Sequence, residues 1–340
     1  MVPMSEVRAS NKQLTAATVP QVAIFVGATA GIGKAALTEL VSAGFPLKAY
    51  IIGRDEAAFQ PTITELHALN PSANFTFLQG KVSLMAETTH LIDIILRREE
   101  HIDLLFLSAG FLPFLGRQET SEGIELSTAV AYYSRLVFIR RLLPLLQAAA
   151  KPGNGHFPPR IISVLGTGVE TTNLFLDDLT LKQPGHFSVP SYTGHVATMT
   201  SASLKRLAEQ PENKNIVIMH HHPGLVSTDI FKKSWGARWN ESKENKGPAA
   251  PANIARSTPE EAGERSLFLM TSAKYGGNGV PVSEGQKGGW TVQGTSSGSL
   301  LCVGDQLETL NLGDLLNSLE QSGAADTIWN HTERLIGAYL

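Results

Sequence analysis

A chain of 340 residues with 42% hydrophobic side chains is long enough for one large α/β domain with a sizeable core, and its 28 basic and 31 acidic residues leave a net charge of −3. That balance excludes nucleic acid or an anionic membrane as the main partner and points to a small molecule. The single cysteine, Cys302, excludes an intrachain disulfide and a thiolate metal cluster, fits a reducing, cytoplasmic compartment, and reads as a small buried hydrophobe.

Residues 1–20 lack the apolar core of a secretory signal and read as a flexible leader. No stretch approaches the roughly 20 apolar residues that span a bilayer, so a soluble protein is expected. The first strong signal is the run Val22 to Val26, five apolar residues that lead directly into Gly27, Gly31 and Gly33. A short apolar run ended by a breaker predicts a strand covered on both faces. Glycines that turn tightly, followed by a helix from Lys34, predict a phosphate cradle: Gly27, Thr29, Ala30, Gly31, Ile32 and Gly33 would present backbone amides and the helix dipole to an anion.

Strands and helices then alternate. Strands are predicted at 47–52, 74–78, 104–107, 160–165, 215–219 and 300–303, and helices at 56–69, 84–98, 120–150, 191–209 and 258–271, with Pro144 kinking the long helix or marking its last turn. Asp55 caps the helix at 56, and Thr258-Pro259-Glu260-Glu261 has a helix-start signature. Each crossover is long enough for a helix, so the fold class is α/β, a Rossmann-type doubly wound parallel sheet of seven strands in a single domain spanning 21–303. Helices at 305–319 and 324–340 form a C-terminal extension over 304–340, residues 276–297 are a Gly-rich loop, and 232–257 reads as a polar lid in which Trp235 and Trp239, with Phe231, offer an apolar cover.

The spacing Gly27-x-x-x-Gly31-x-Gly33 inside a strand-to-helix turn resembles the short-chain dehydrogenases/reductases. Ser108-Ala109-Gly110 stands where that family has Asn-Asn-Ala-Gly beside the cofactor, and Pro223-Gly224 followed by Thr228 matches the segment that meets the nicotinamide end. Asp177-Asp178-Leu179 resembles the retinol-dehydrogenase-like branch, and the whole looks like the divergent fungal members found in natural-product pathways. The resemblance covers about residues 20–303. It implies a nicotinamide cofactor, a hydrophobic substrate such as a polyketide or terpenoid, and a dimer or tetramer.

The family's catalytic tetrad of Asn, Ser, Tyr and Lys is reduced here. Tyr192 matches the tyrosine, while Val196 stands for the lysine, Gly166 for the serine and Ala131 for the asparagine. In the family mechanism the tyrosine exchanges a proton with the carbonyl oxygen while nicotinamide exchanges hydride, and the lysine lowers the phenol's pKa from about 10 toward neutrality. Thr167 is the next hydroxyl after Gly166. His195, one turn along the helix from Tyr192, offers an imidazolium in place of the ammonium, or is an inert helix residue. Tyr132 is either packing or a second phenol at the substrate. His220, His221 and His222 alternate in direction on a strand end, so no metal site is expected, and one of them is expected to line the pocket beside Pro223.

About twenty residues past the glycines an NAD site needs a carboxylate for the ribose 2′-hydroxyl. Arg54 stands there instead and suits a 2′-phosphate, which favours NADP(H) over NAD(H); Lys81 replaces the aspartate usual against adenine. Three functions follow: an NADP(H)-dependent oxidoreductase, a non-redox cyclase, isomerase or dehydratase on the same scaffold, and a cofactor-binding regulator with no catalysis; the absence of any cofactor is the remaining alternative to NADP(H) and NAD(H).

Overall fold

In the computed structural model, residues 1–151, 153, 157–240, 256–282 and 288–340 are described. Seven parallel strands form one sheet in the order β3-β2-β1-β4-β5-β6-β7, with β1 Val22–Val26, β2 Leu47–Gly53, β3 Ala73–Gln79, β4 Leu104–Leu107, β5 Arg160–Val164, β6 Val217–His221 and β7 Leu301–Val303. The first crossover places β2 and β3 on one side of β1, and the chain then returns to lay β4 to β7 on the other. The crevice between β1 and β4 is therefore the topological switch point at which α/β sheets bind ligands.

The period of two along β1 decides which core each residue enters. Val22, Ile24 and Val26 pack with Leu91, Ile92 and Ile95 of α4 (Met85–Leu96) on one face, while Ala23 and Phe25 pack with Leu37, Leu40 and Val41 of α2 (Gly31–Ser42) on the other. All five β1 residues are buried, as a strand covered by helices on both faces must be. Helix α3 (Glu56–Leu69) begins at Asp55, whose carboxylate accepts from Ala58 N at 2.9 Å.

Several sequence expectations are corrected. The leader is not loose over its first half: α1 (Met4–Asn11) buries Val7, and its Arg8 pairs with Glu264 at 3.0 Å. The helix expected over 120–150 is broken at its start into a short α5 (Leu126–Thr128), a π-helical turn Ala129–Tyr133 and then α6 (Ser134–Ala149), with Pro144 inside α6. Helix α7 spans Val189–Ala208, and β6 runs two residues further than expected, so His220 and His221 lie within the strand.

Helix α8 (Ile230–Trp235) begins the expected lid; residues 241–255 of that lid, and 283–287 of the Gly-rich loop, lie outside the described residues. Helix α9 (Pro259–Thr271) starts with the Thr258/Glu261 capping box. The C-terminal extension begins as irregular chain rather than helix at 305, then forms α10 (Gly313–Gln321) and α11 (Ala324–Ile336). Tyr132 Oη bonds Thr332 Oγ1 at 2.7 Å and Tyr133 Oη bonds His331 Nε2 at 2.8 Å, so α11 is tied to the π turn that precedes α6.

Candidate active site

A cavity of about 980 Å³ opens over the carboxyl ends of β1, β2 and β4. The cradle forms its floor. Gly27 has φ +99°, and a Cβ there would lie 2.4 Å from Ala109 N, so this backbone passes too close to the next strand's end for any side chain. A Cβ on Gly33 would sit 2.5 Å from Gly27 O and 2.4 Å from Ser108 Oγ. Ala30 gives α2 no side-chain cap, so the helix's first amides are left to an outside acceptor.

Thr29, Ala30, Gly31, Ile32, Arg54, Ser108, Ala109, Gly110 and Thr228 line the same cavity, with Thr228 closing over Gly31. Pro223 and Gly224 do not; the Gly224 backbone is packed against Asp305 instead. At the mouth beside β2, Arg54 and Lys81 are exposed, and Lys34 is half-buried with its Nζ 3.1 Å from Thr62 Oγ1.

The far end of the cavity is lined by Phe111, Leu112, Pro113, Leu115, Leu126 and Val130, by Glu125, and by Ile230, Lys233 and Ser234 of α8. Leu112 N donates to Ser234 Oγ at 2.9 Å. Behind that contact Phe114 stacks on Phe231 with ring centroids 5.8 Å apart and packs on Trp235 at 5.4 Å. The aromatic cover foreseen for Phe231 and Trp235 is thus a clasp between α8 and the loop after β4.

The residues nominated for chemistry lie outside this cavity wall. Tyr192 is 5% exposed and its hydroxyl donates to Ser127 O at 3.4 Å, which places the phenol behind the segment that carries Glu125 and Leu126. Burial, and then the Glu125 charge, push its pKa above the ordinary tyrosine value, so it stays protonated. Glu125 is itself buried, and its carboxylate accepts from Ser127 N, Thr128 N and both neighbouring hydroxyls at 2.7–3.1 Å.

His195 does not take the lysine's part. Its Nδ1 donates to Ser191 O and its Nε2 accepts from Phe175 N, both at 2.9 Å, an arrangement that requires the neutral ring; burial lowers its pKa accordingly. Thr167 donates to Glu170 Oε1 at 2.8 Å and turns away from the cavity. Tyr132 is 1% exposed, with its hydroxyl shared between Ser203 and Thr332, and burial pushes its pKa up to about 12; it is a packing residue of the α6–α7–α11 contact.

The expectation that one of His220–His222 lines the pocket also fails. His220 accepts from Gly166 N through Nε2 at 3.3 Å and meets Ser201 Oγ through Nδ1 at 2.7 Å, while His221 donates to Val303 O at 3.1 Å. Ser201 Oγ in turn lies 2.6 Å from Glu170 Oε1. This buried Thr167–Glu170–Ser201–His220 network fixes the loop after β5, where the family's serine position has become Gly166. No group of three or more metal-ligating side chains exists among the described residues.

Two residues here escaped the sequence reading, Glu125 and Arg135. Glu125 lies in a stretch expected to be uniform helix. Arg135 looks in sequence like one more basic residue of an amphipathic helix, yet it is 3% exposed. Arg135 follows the π turn at 129–133, which periodicity alone does not register, and Glu125 caps the short α5 with its own side chain.

Known proteins match this architecture. The short chain dehydrogenase family model matches residues 21–156. The chain is 34% identical to Oxidoreductase AN1596 of Emericella nidulans over 99% of its own length and 98% of the relative's. It is 32% identical to the NmrA-like family domain-containing oxidoreductase notO of an Aspergillus species, covering 99% and 96%. Among solved structures it resembles the NADPH-bound carbonyl reductase from chicken fatty liver, with TM-score 0.54, 17% identity and coverage of 85% and 98%. It also resembles a 3-oxoacyl (acyl-carrier-protein) reductase from Agrobacterium tumefaciens with NADP bound, with TM-score 0.51, 16% identity and coverage of 84% and 93%. No described helix is long and apolar enough to cross a membrane. With full-length relatives that are oxidoreductases, a seven-stranded parallel sheet and a glycine cradle at its switch point, the chain belongs to the short-chain dehydrogenase family of enzymes.

Proposed function

We propose that this enzyme is an NADP(H)-dependent oxidoreductase acting on a hydrophobic small molecule of fungal-type secondary metabolism, such as a polyketide or terpenoid. The observation that carries the reading is the charge at the mouth of the cradle: where an NAD site needs a carboxylate, Arg54 lines the cavity, as do Lys81 and Lys34. A guanidinium matches a 2′-phosphate with a bidentate fork. The residues fit the dinucleotide: Gly27 and Gly33 let the turn close so tightly on Ala109 N and Gly27 O that no side chain fits there, and the uncapped first turn of α2, Gly31 to Gly33, lines the cavity where a pyrophosphate would lie.

The nicotinamide, when bound, supplies or accepts hydride. Gly27 to Gly33 would hold the pyrophosphate, Arg54 the 2′-phosphate, and Ser108 to Gly110 with Thr228 the nicotinamide side. The apolar wall of Phe111, Leu112, Leu115 and Val130 would exclude water and orient an apolar substrate. By its match to the family's tyrosine, Tyr192 is assigned proton transfer to a substrate oxygen; the phenol is protonated, and the Glu125–Thr128 segment lies between it and the cavity.

Calorimetry with NADPH, NADH and no nucleotide tests this. Submillimolar NADPH binding, tighter than NADH, is expected, and binding of neither nucleotide would overturn the reading. Turnover of a substrate without nucleotide oxidation would instead identify a cyclase, isomerase or dehydratase.

A further inference from the structure

Arg135 has no part in the reading above, although its surroundings single it out. It sits in the first turn of α6, directly after the π turn Ala129–Tyr133. Such one-turn widenings re-aim the residues that follow them and recur at functional sites. The guanidinium is aimed into the sheet: Nη1 donates to Ser163 Oγ at 2.7 Å and Val164 O at 2.9 Å at the end of β5, and Nη2 donates to Ala109 O at 2.7 Å in the turn after β4. Its Nε is buried with no hydrogen-bond partner among the described residues.

No carboxylate is among these partners, so among the described residues neutral oxygens alone accept from this buried cation. Burial lowers its pKa to about 10, which still leaves it charged near neutrality. A planar fork can reach two strand ends at once, whereas an ammonium on a flexible stem cannot.

The turn that it holds is the one on which the cradle rests. Ala109 N is the atom that a Cβ on Gly27 would meet at 2.4 Å, and Gly110, on the cavity wall, would carry a Cβ 3.9 Å from Arg135 Nη2. The Arg135 charge is also felt by the Tyr192 phenol, where it partly opposes the Glu125 charge.

We propose that Arg135 is a positioning residue that clamps the Ser108–Gly110 turn to the end of β5 and so sets the cavity floor under the nicotinamide half of the cofactor. It fixes, from behind the wall, a part of the site that the tetrad's lost residues no longer support. The proposal rests on the NADP(H) reading and concerns only one half of that ligand. The adenosine half would be held by Arg54 and the β2 end, which are not among the hydrogen-bond partners of Arg135.

The test titrates NADPH and 2′,5′-ADP, which lacks the nicotinamide half, into the full-length protein and into Arg135→Met and Arg135→Lys. The Met variant is expected to lose about tenfold or more in NADPH affinity while 2′,5′-ADP affinity stays within about twofold, and the Lys variant to fall between. A purely structural role would weaken both ligands together, and that outcome overturns the proposal, as does unchanged NADPH binding by the Met variant. If the Met variant does not fold, the Lys variant decides by the same ratio of the two ligands. Wild-type protein that binds neither probe overturns the cofactor reading itself; wild-type binding with an unaffected ratio in the variants overturns only the role of Arg135.

Discussion

The two ends of the cavity are built on different terms. At the nucleotide end, every cradle residue from Gly27 to Gly33 other than Ala28 lies on the cavity wall, together with Arg54 and Ser108–Gly110. At the reaction end, Tyr192, His195, Thr167 and Tyr132 all lie behind that wall, each engaged in a hydrogen bond within the protein. Backbone geometry carries the first site and leaves little freedom for substitution. Side chains carry the second, so its chemistry can be rebuilt while the fold stays the same, and fold alone does not fix what it does.

The nucleotide end is least tolerant of substitution at Gly27. Gly27→Val would place a branched side chain at φ +99°, with its Cβ 2.4 Å from Ala109 N, a clash with backbone that no rotamer relieves. The expected outcome is loss of soluble folded protein, or, if it folds, a drop in NADPH affinity of about a hundredfold or more, measured by calorimetry beside a circular-dichroism melt. Near-normal binding would mean that the cradle is more plastic than its backbone contacts indicate.

At the reaction end the expected loss is in turnover rather than binding. Tyr192→Phe removes only the hydroxyl that donates to Ser127 O. Once a substrate is in hand, kcat is expected to fall by about 10²–10³ while NADPH affinity and melting temperature hold. Full activity in this variant would show that the phenol is packing, and would move proton transfer to a group on the wall itself, of which Glu125 is the buried ionisable one.

A smaller effect is expected at the mouth. Arg54 is exposed, so Arg54→Ala should leave the fold unchanged, weaken NADPH by about tenfold and leave NADH nearly unaffected. The ratio of the two affinities is the measurement. Equal changes for both nucleotides would say that Arg54 contributes general positive field and does not read the 2′-phosphate.

What the sequence disclosed follows the same division. The sheet was legible because parallel strands buried on both faces must be continuous apolar runs, as Val22–Val26 and Leu104–Leu107 are, and the cradle was legible because glycine is the one residue that fits such a backbone path. The interior partners of the reaction end were not. Nothing in the local pattern says that His195 spends its second nitrogen on Phe175, twenty residues away, or that Thr167 faces Glu170, since both are set by the conformation of the loop after β5. The π turn was invisible for a related reason: one extra residue in a helical turn leaves hydrophobic periodicity nearly intact while re-aiming Arg135. Secondary structure near Met4–Asn11 was missed because that helix is polar along most of its length and is held by α9 rather than by its own propensity.

The smallest expected effect concerns the histidines of β6, which sequence placed at the pocket and the structure places in the sheet. Burial lowers the pKa of His221 to about 4, against about 6.5 in an unfolded chain. The folded state therefore binds fewer protons than the unfolded state between those values. Its stability is fully present above pH 6.5 and declines as pH falls toward 4, by about 3 kcal/mol for this one group. His221→Asn keeps a side-chain N–H to offer Val303 O without a titrating ring. Its melting temperature should fall by several degrees less than that of wild type between pH 6.5 and 4, with a residual slope from His220, whose pKa burial also lowers. NADPH affinity at pH 7 should be the same in both proteins, because His221 meets β7 and not the cavity. A change in affinity without a change in the pH slope would instead tie the β6 end to the reacting half of the site.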